Sequence, residues 1–588
     1  MTRSHRTLVY PGIARWRIVL LSFLLSAQPS SLLASEIPEF RKSAWFGEQV
    51  REQWFAEGIR LLVNAPGQFE RSKPTRLIFF ATPNGNSLEQ TMGCITEGKT
   101  DWRFDTQHIA AQVRRFREVA GATQTVLACL EAEGLSWPTW NKTRQDGPKT
   151  IRNVVQTVQQ WISAKEISII LAGHSGGGSF LFGFIDAEEE IPNEIQRLIF
   201  LDANYSYSDA HKHGDKILAW LKKQASHQLV VIAYDDRNVR LNGKLVVGPG
   251  GGTFRATDRM VGSFTQKGIE LVESTSGDFR ILKGMNEQIS ILVHKNPQNK
   301  VLHTALVGEM NGLLRGLSND PPKEKWGTVG GPRAYTKWIQ PAPALPKRPD
   351  DAVGGKAFFQ AMEKLARDQR EEAIATEFLR GNFPDFLRSF KQLKFATKDV
   401  SGKEQSATVE VMPDYLSIGS NEDFVRVPMN PRTACRIAEA FGCSLPTRKI
   451  VDAIHANATV KLEPYPLTET REAIATFVQH HQLIEEQRKG SKLGEFVSGI
   501  KKDLVLSNRL EEKPNRVAIY GWHKRDGKPI QPLNIAHIYW YVDYSHGVRL
   551  IKRRIEIDGQ PRDLRRLLFS EKLSRLVSDE GPLRRIDY

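Results

Sequence analysis

The strongest constraint on this chain is a series of short segments that are apolar throughout and recur between helix-patterned stretches. Leu77-Ile-Phe-Phe-Ala-Thr82, Thr125 to Leu130, Ile167-Ser-Ile-Ile-Leu-Ala172, Leu198-Ile-Phe-Leu201, Leu229-Val-Val-Ile-Ala233 and Ile289-Ser-Ile-Leu-Val293 offer almost no polar face to water. Strands of that kind need cover on both sides, which points to a parallel sheet between two helical layers. The intervening stretches supply the cover. His108 to Val119 is amphipathic, and Thr150 to Ala164 puts Ile151, Val154, Val155, Val158 and Ile162 on one face. The expected fold class over residues 73–317 is therefore α/β, with a mostly parallel, doubly covered sheet. Asn242 to Gly277, which contains Gly248-Pro-Gly-Gly-Gly252, reads as a loop or hairpin excursion over that sheet.

A chain of 588 residues is too long for one core. Seven prolines between Pro321 and Pro349 mark residues 318–355 as a Pro-rich linker. Beyond it the pattern changes to a separate α+β domain over 356–588. A charged helix is expected over Lys356 to Arg380 and a strand at Thr408 to Val411. Short helices are expected at Thr433 to Phe441 and Lys449 to Ala456, with strand-like pieces near Val517 to Tyr520 and Ile538 to Val542. At the other end, residues 35–72 read as an N-terminal helical segment, with helical character from Trp45 to Leu62.

Residues 1–34 have the plan of a secretory signal peptide. Arg3, Arg6, Arg15 and Arg17 precede the apolar run Ile18 to Ala27, which is too short to span a bilayer as a helix. Ala34 is the expected cleavage point, with Ala27 as the alternative. The chain is thus expected to be secreted, periplasmic or at the cell surface, with no transmembrane segment after cleavage; an uncleaved anchor is the competing reading. The net charge of +15 suits an anionic cell-wall or polysaccharide surface. Nucleic acid is disfavoured, because no long Lys/Arg block with interleaved aromatics appears outside the tail of Lys552, Arg553, Arg554, Arg562, Arg565 and Arg566. Cys94, Cys129, Cys435 and Cys443 form no CxxC metal pattern. Cys129 lies in an apolar run and reads as buried, while the spacing leaves a local Cys435–Cys443 pair open.

Gly173-His-Ser-Gly-Gly177 has the form G-x-S-x-G. The pentapeptide alone is a weak signal; its position between a buried strand and a helix starting near Gly178 is what gives it weight. A sharp strand-to-helix turn would expose the Ser175 hydroxyl at the carboxyl edge of the sheet, with the following helix dipole nearby. A phosphate-binding glycine turn is the rival reading, and no Lys-Ser/Thr pair or ribose-binding acid supports it.

With that motif in that setting, the stretch from about Pro74 to Leu317 resembles the α/β-hydrolase superfamily. The resemblance implies a serine nucleophile, an acid and a histidine in that chain order, and an oxyanion loop after an early strand. Ser175 is then the nucleophile and His303, beyond the last strand, the base, with His294 as its competitor. Asp236, just after Leu229 to Ala233, is the expected acid, with Asp202 and Asp235 as alternatives. Thr82-Pro-Asn-Gly-Asn-Ser87 stands where the oxyanion loop belongs, so Gly85 and Asn86 are expected to supply backbone N–H groups together with Gly176. Pro83-Asn84-Gly85 departs from the His-Gly often found there. His211 and His213 come too early in the chain and read as surface residues. The implied chemistry is acyl transfer from a small-molecule or polymer-borne acyl substrate, with no metal and no organic cofactor.

The C-terminal domain holds a second concentration of polar and aromatic residues. His523, His537, Asp543 and His546 are candidate metal ligands or acid–base groups, and Trp522, Trp540, Tyr539, Tyr541 and Tyr544 are candidate sugar-stacking rings. No trusted ligand spacing is present, and the competing reading is a mixed-sheet core with satisfied polar tips. The Asp543-Tyr-Ser-His-Gly547 stretch is similar to one in uncharacterised exported bacterial proteins, which implies no activity. Two functions follow as expectations: an exported serine esterase, or a peptidoglycan- or polysaccharide-processing or -binding protein whose main activity lies in the C-terminal domain.

Overall fold

The structure is a computed structural model that describes residues 36–96, 101–318, 331–398 and 401–588. The expected signal segment 1–34 and part of the expected linker lie outside the described residues. Among the described residues no helix is long and apolar enough to cross a membrane.

An eleven-stranded sheet organises the N-terminal half. Its strands are β1 (Arg41–Lys42), β2 (Gln49–Phe55), β3 (Ile59–Ala65), β4 (Thr75–Ala81), β5 (Gln124–Ala132), β6 (Ile167–His174), β7 (Ile195–Leu201), β8 (Gln228–Tyr234), β9 (Leu271–Ser276), β10 (Phe279–Gly284) and β11 (Ile289–His294). The spatial order is β1-β2-β3-β5-β4-β6-β7-β8-β11-β10-β9. The run from β5 to β11 through β4, β6, β7 and β8 is parallel, and antiparallel strands flank it at both edges.

Alternate residues of each apolar strand enter different cores, which is why those strands lack a polar face. Leu77 and Phe79 of β4 join one core with α2 (Gly147–Ile162), α3 (Gly178–Asp186), α4 (His213–Lys223) and α5 (Thr253–Gln266). Ile78 and Phe80 join the other, under α1 (Ile109–Val119) and α6 (His303–Val307). The stretch 242–277 differs from expectation. It contains the four-turn helix α5, whose Met260 and Phe264 are buried in the first core, as well as the edge strand β9.

The segment 36–72 is strand, not helix. β2 and β3 form a hairpin closed at Gly58, where φ is +80°. Inward positions on this hairpin are filled by ions as well as apolar residues, so the period-2 pattern is concealed in the sequence. Glu52, fully buried, accepts from Arg60 and from Arg565 of the C-terminal domain, both at 2.7 Å. Glu89 pairs with Arg60 and Arg553, both at 2.6 Å. Glu131 pairs with Arg566 at 2.8 Å. Trp54 stacks on Phe569 with ring centroids 4.0 Å apart and joins the C-terminal core.

The C-terminal domain has its own large core, a six-stranded and a four-stranded sheet, and several helices. Strands β12 (Arg554–Ile557) and β13 (Gln560–Asp563) and helix α7 (Leu564–Phe569) face the N-terminal half. The expected helix from Lys356 to Arg380 is two helices, Gly355–Met362 and Arg367–Arg380. The piece at Ile538 to Val542 forms only an isolated bridge, from Ile538 to Arg516. All four cysteines are buried free thiols, so Cys435 and Cys443 are not paired.

Glu52 neutralises two guanidinium groups that are almost removed from water. Glu52→Gln is expected to lower the free energy of unfolding by about 3 kcal/mol, the cost of leaving buried charge uncompensated. Urea denaturation of the two proteins measures this.

Candidate active site

β6 ends at His174, and the chain reverses at Ser175 into a short 3-10 turn that continues as α3. Ser175 has φ of +52°, a left-handed conformation that costs a β-carbon-bearing residue about 1–2 kcal/mol and is held by the packed strand and helix on either side. The turn closes tightly because Gly178 lets it approach the end of β7: a β-carbon there would lie 1.6 Å from the Ala203 carbonyl oxygen. Ser175 is only partly buried, and Tyr205 stands near it on the loop after β7. Desolvation, then the charge of Asp202, holds the Tyr205 hydroxyl well above its usual range, so it stays protonated.

His303 opens α6 and is partly exposed. Its Nδ1 lies 3.6 Å from Oδ2 of Asp202, which is fully buried just past β7. Its ring centroid is 4.9 Å from that of His174. His174 is buried and bound to the Gln107 side chain at 3.1 Å, and burial keeps it neutral. The acid against the imidazole is thus Asp202, one strand earlier than the expected Asp236. Asp236 is also buried, but its Oδ2 accepts from the Thr253 backbone N–H at 2.8 Å, capping α5. Gly252 leaves room for this cap, since a β-carbon there would fall 2.3 Å from the carboxylate. The Thr253 hydroxyl donates to Asp202, so one residue holds both acids. Burial, then the neighbouring charge of Asp202, pushes Asp236 up to about 6. Asp235 is spent on Arg237 at 2.7 Å, and His294 accepts from the Asn296 N–H at 3.0 Å; neither joins the group.

Two of the expected oxyanion donors are already used. The Gly85 N–H donates to the Leu135 carbonyl at 2.9 Å and the Asn86 N–H to the Pro83 carbonyl at 3.3 Å. The neighbouring Asn84 packs on the serine turn: its side-chain carbonyl oxygen would fall 2.0 Å from a β-carbon at Gly176, and its own backbone N–H has no acceptor among the described residues. A hydroxyl on a strained turn, an imidazole backed by a buried carboxylate, and free amide donors beside the turn are the parts needed for acyl transfer.

The strand order completes the assignment. The strand β5 intervenes between β3 and β4, β3 runs against its neighbours, and the serine turn caps the central strand β6. The N-terminal half has the α/β-hydrolase fold. Solved structures that match this region include a poly(3-hydroxybutyrate) depolymerase from Bordetella parapertussis, 10% identical, covering 46% of this chain and 87% of that one with a TM-score of 0.28. Poly(aspartic acid) hydrolase-1 from Sphingomonas sp. KT-1 is 15% identical over 45% of this chain and 99% of its own, with a TM-score of 0.27. A cold-adapted esterase from an Arctic intertidal metagenomic library is 9% identical over 44% and 87%, with a TM-score of 0.23. No family model and no curated protein matches the chain. The α/β-hydrolase assignment therefore rests on this chain's own strand order and turn geometry.

Outside the hydrolase site, Asp186, His211 and His213 bring three ligand-type atoms within 4.8 Å of one another. His213 is buried, not a surface residue. Its Nδ1 accepts from the Ser208 N–H at 3.1 Å, so its proton is on Nε2, which donates to Asp186 at 3.0 Å. No lone pair remains on that ring for a metal. In the C-terminal domain the expected second site divides. His523 pairs with Asp452 at 2.9 Å and stacks on His455. Asp543, His546 and His537 do lie together, but Asp543 is fully engaged by Arg471 at 2.6 Å and by Ser545.

Asp236 gives the hydrolase domain a measurable pH response. A carboxyl raised from about 4 in the unfolded chain destabilises the fold when ionised, fully above pH 6 and not at all below about pH 4. Asp236→Asn keeps an acceptor for Thr253 and removes the titration. It is expected to raise Tm at pH 8 and to leave Tm unchanged at pH 4, as read by thermal unfolding.

Proposed function

We propose that the protein is an exported serine hydrolase that cleaves an ester, and an amide less readily, through an acyl-enzyme on Ser175. The observation that carries this reading is the contact between His303 and the buried Asp202, beside a serine held at positive φ. Ser175 attacks the acyl carbonyl while His303 takes its proton and then returns it to the leaving group. Asp202 fixes the imidazole tautomer, with Nδ1–H toward the acid, and stabilises the imidazolium. The N–H groups of Asn84 and Gly176 receive the negative charge that develops on the carbonyl oxygen. Tyr205, which burial keeps protonated, stands beside the nucleophile. Water then releases the acyl group by the same steps in reverse. The basic, apolar start of the chain supports export, and the mass of the secreted protein's N-terminus tests it.

An alkyl fluorophosphonate is expected to label the wild type and not Ser175→Ala. With 4-nitrophenyl acetate, Asp202→Asn is expected to lower kcat by about 10³-fold or more, as loss of the orienting acid does elsewhere, whereas Asp236→Asn stays within about tenfold of wild type. Equal losses in the two variants, or labelling that survives in Ser175→Ala, would overturn the assignment.

A further inference from the structure

A cavity of 470 Å³ lies between the hydrolase sheet and the C-terminal domain. One wall is the turn after β4 and the loop after β5, including Gly85 and Leu135; the opposite wall comes from β13, α7 and the residues after it, including Arg562 and Leu573. Trp54 and Phe569, stacked on each other, line it as well. Its size is that of a small-molecule pocket. Gly85 is the chain neighbour of Asn84, whose amide lies on Gly176. The cavity wall therefore continues the turn that packs on the serine turn.

The charges of the lining single out one residue. Glu89 is paired with Arg60 and Arg553, both at 2.6 Å, Asp563 with Arg553 at 2.8 Å, and Glu133 with Arg144 at 3.0 Å. Arg566 is taken up by Glu131. Arg562, exposed on β13, has no carboxylate partner among the described residues. The cavity thus combines apolar rings with a single unspent cation.

We propose that this cavity receives one arm of the ester and that Arg562 selects an arm ending in a carboxylate. The C-terminal domain then acts as the specificity wall of the hydrolase. This rests on the hydrolase reading above. The arm belongs either to the acyl group or to the alcohol, and the substrates separate the two: mono-4-nitrophenyl adipate against 4-nitrophenyl hexanoate, and 4-acetoxybenzoate against its methyl ester. The full chain is expected to prefer the carboxylate member of one pair by about fivefold in kcat/KM, as one partly exposed charge pair supplies, and added salt should shrink the preference. Arg562→Glu should abolish or reverse it while 4-nitrophenyl acetate turnover stays within about twofold. Leu573→Trp, which fills the cavity, should slow both members of that pair and spare the acetate. Acetate turnover with no preference in either pair, or an Arg562→Glu variant that slows all substrates alike, overturns the cavity assignment and leaves the hydrolase intact. Absence of both fluorophosphonate labelling and ester turnover overturns both.

Discussion

Glu52 sits out of water between Arg60 and Arg565, and much of the architecture depends on that arrangement. A buried carboxylate flanked by two guanidinium groups is stable only where the charges meet in one geometry, because any displacement leaves a charge desolvated and unmatched. The same seam carries Glu89 with Arg553, and Glu131 with Arg566. It ties the β2–β3 hairpin and the end of β5 to the C-terminal chain. The turn that bears Asn84 lies next to this seam. The C-terminal chain is therefore held against the turn that bears Asn84 by electrostatics, with the Trp54–Phe569 stack supplying apolar contact.

At the site itself, conformational strain and burial divide the work. The positive φ of Ser175 is maintained by cores on both faces of the sheet, which are far larger than the cost of the strained residue. Burial of two aspartates at successive strand ends raises the energy of holding both as anions, and the Thr253 N–H and hydroxyl offset part of it.

Much of the sheet was legible in the sequence, for a physical reason: Ile167 to Ala172 and its companions cannot be exposed on either face, so a doubly covered sheet is the economical solution. The strained turn at Ser175 was legible because the glycines around it report a backbone crowding that other residues cannot tolerate. The place of His303 beside a strand-end carboxylate followed from chain order. The acid did not, because Asp202 and Asp236 both follow strands and only the position of His303 distinguishes them. The N–H groups of Gly85 and Asn86 close local turns, which no pattern of residue types reveals. The hairpin over 49–65 escaped notice since its inward positions include Glu52 and Arg60, and no periodicity of apolar residues can reveal a strand that buries a salt bridge. Thr253 carried no motif at all; its contacts with both acids come only from spatial proximity.

The helix-opening threonine has a wider implication. Thr253 grips the acid that faces the imidazole with its side chain and the other acid with its main chain. Two adjoining strands thus have their terminal carboxylates held by one residue of a single excursion of the chain. A substitution that displaces Thr253 therefore frees both carboxylates at once, one from its hydroxyl and the other from its N–H.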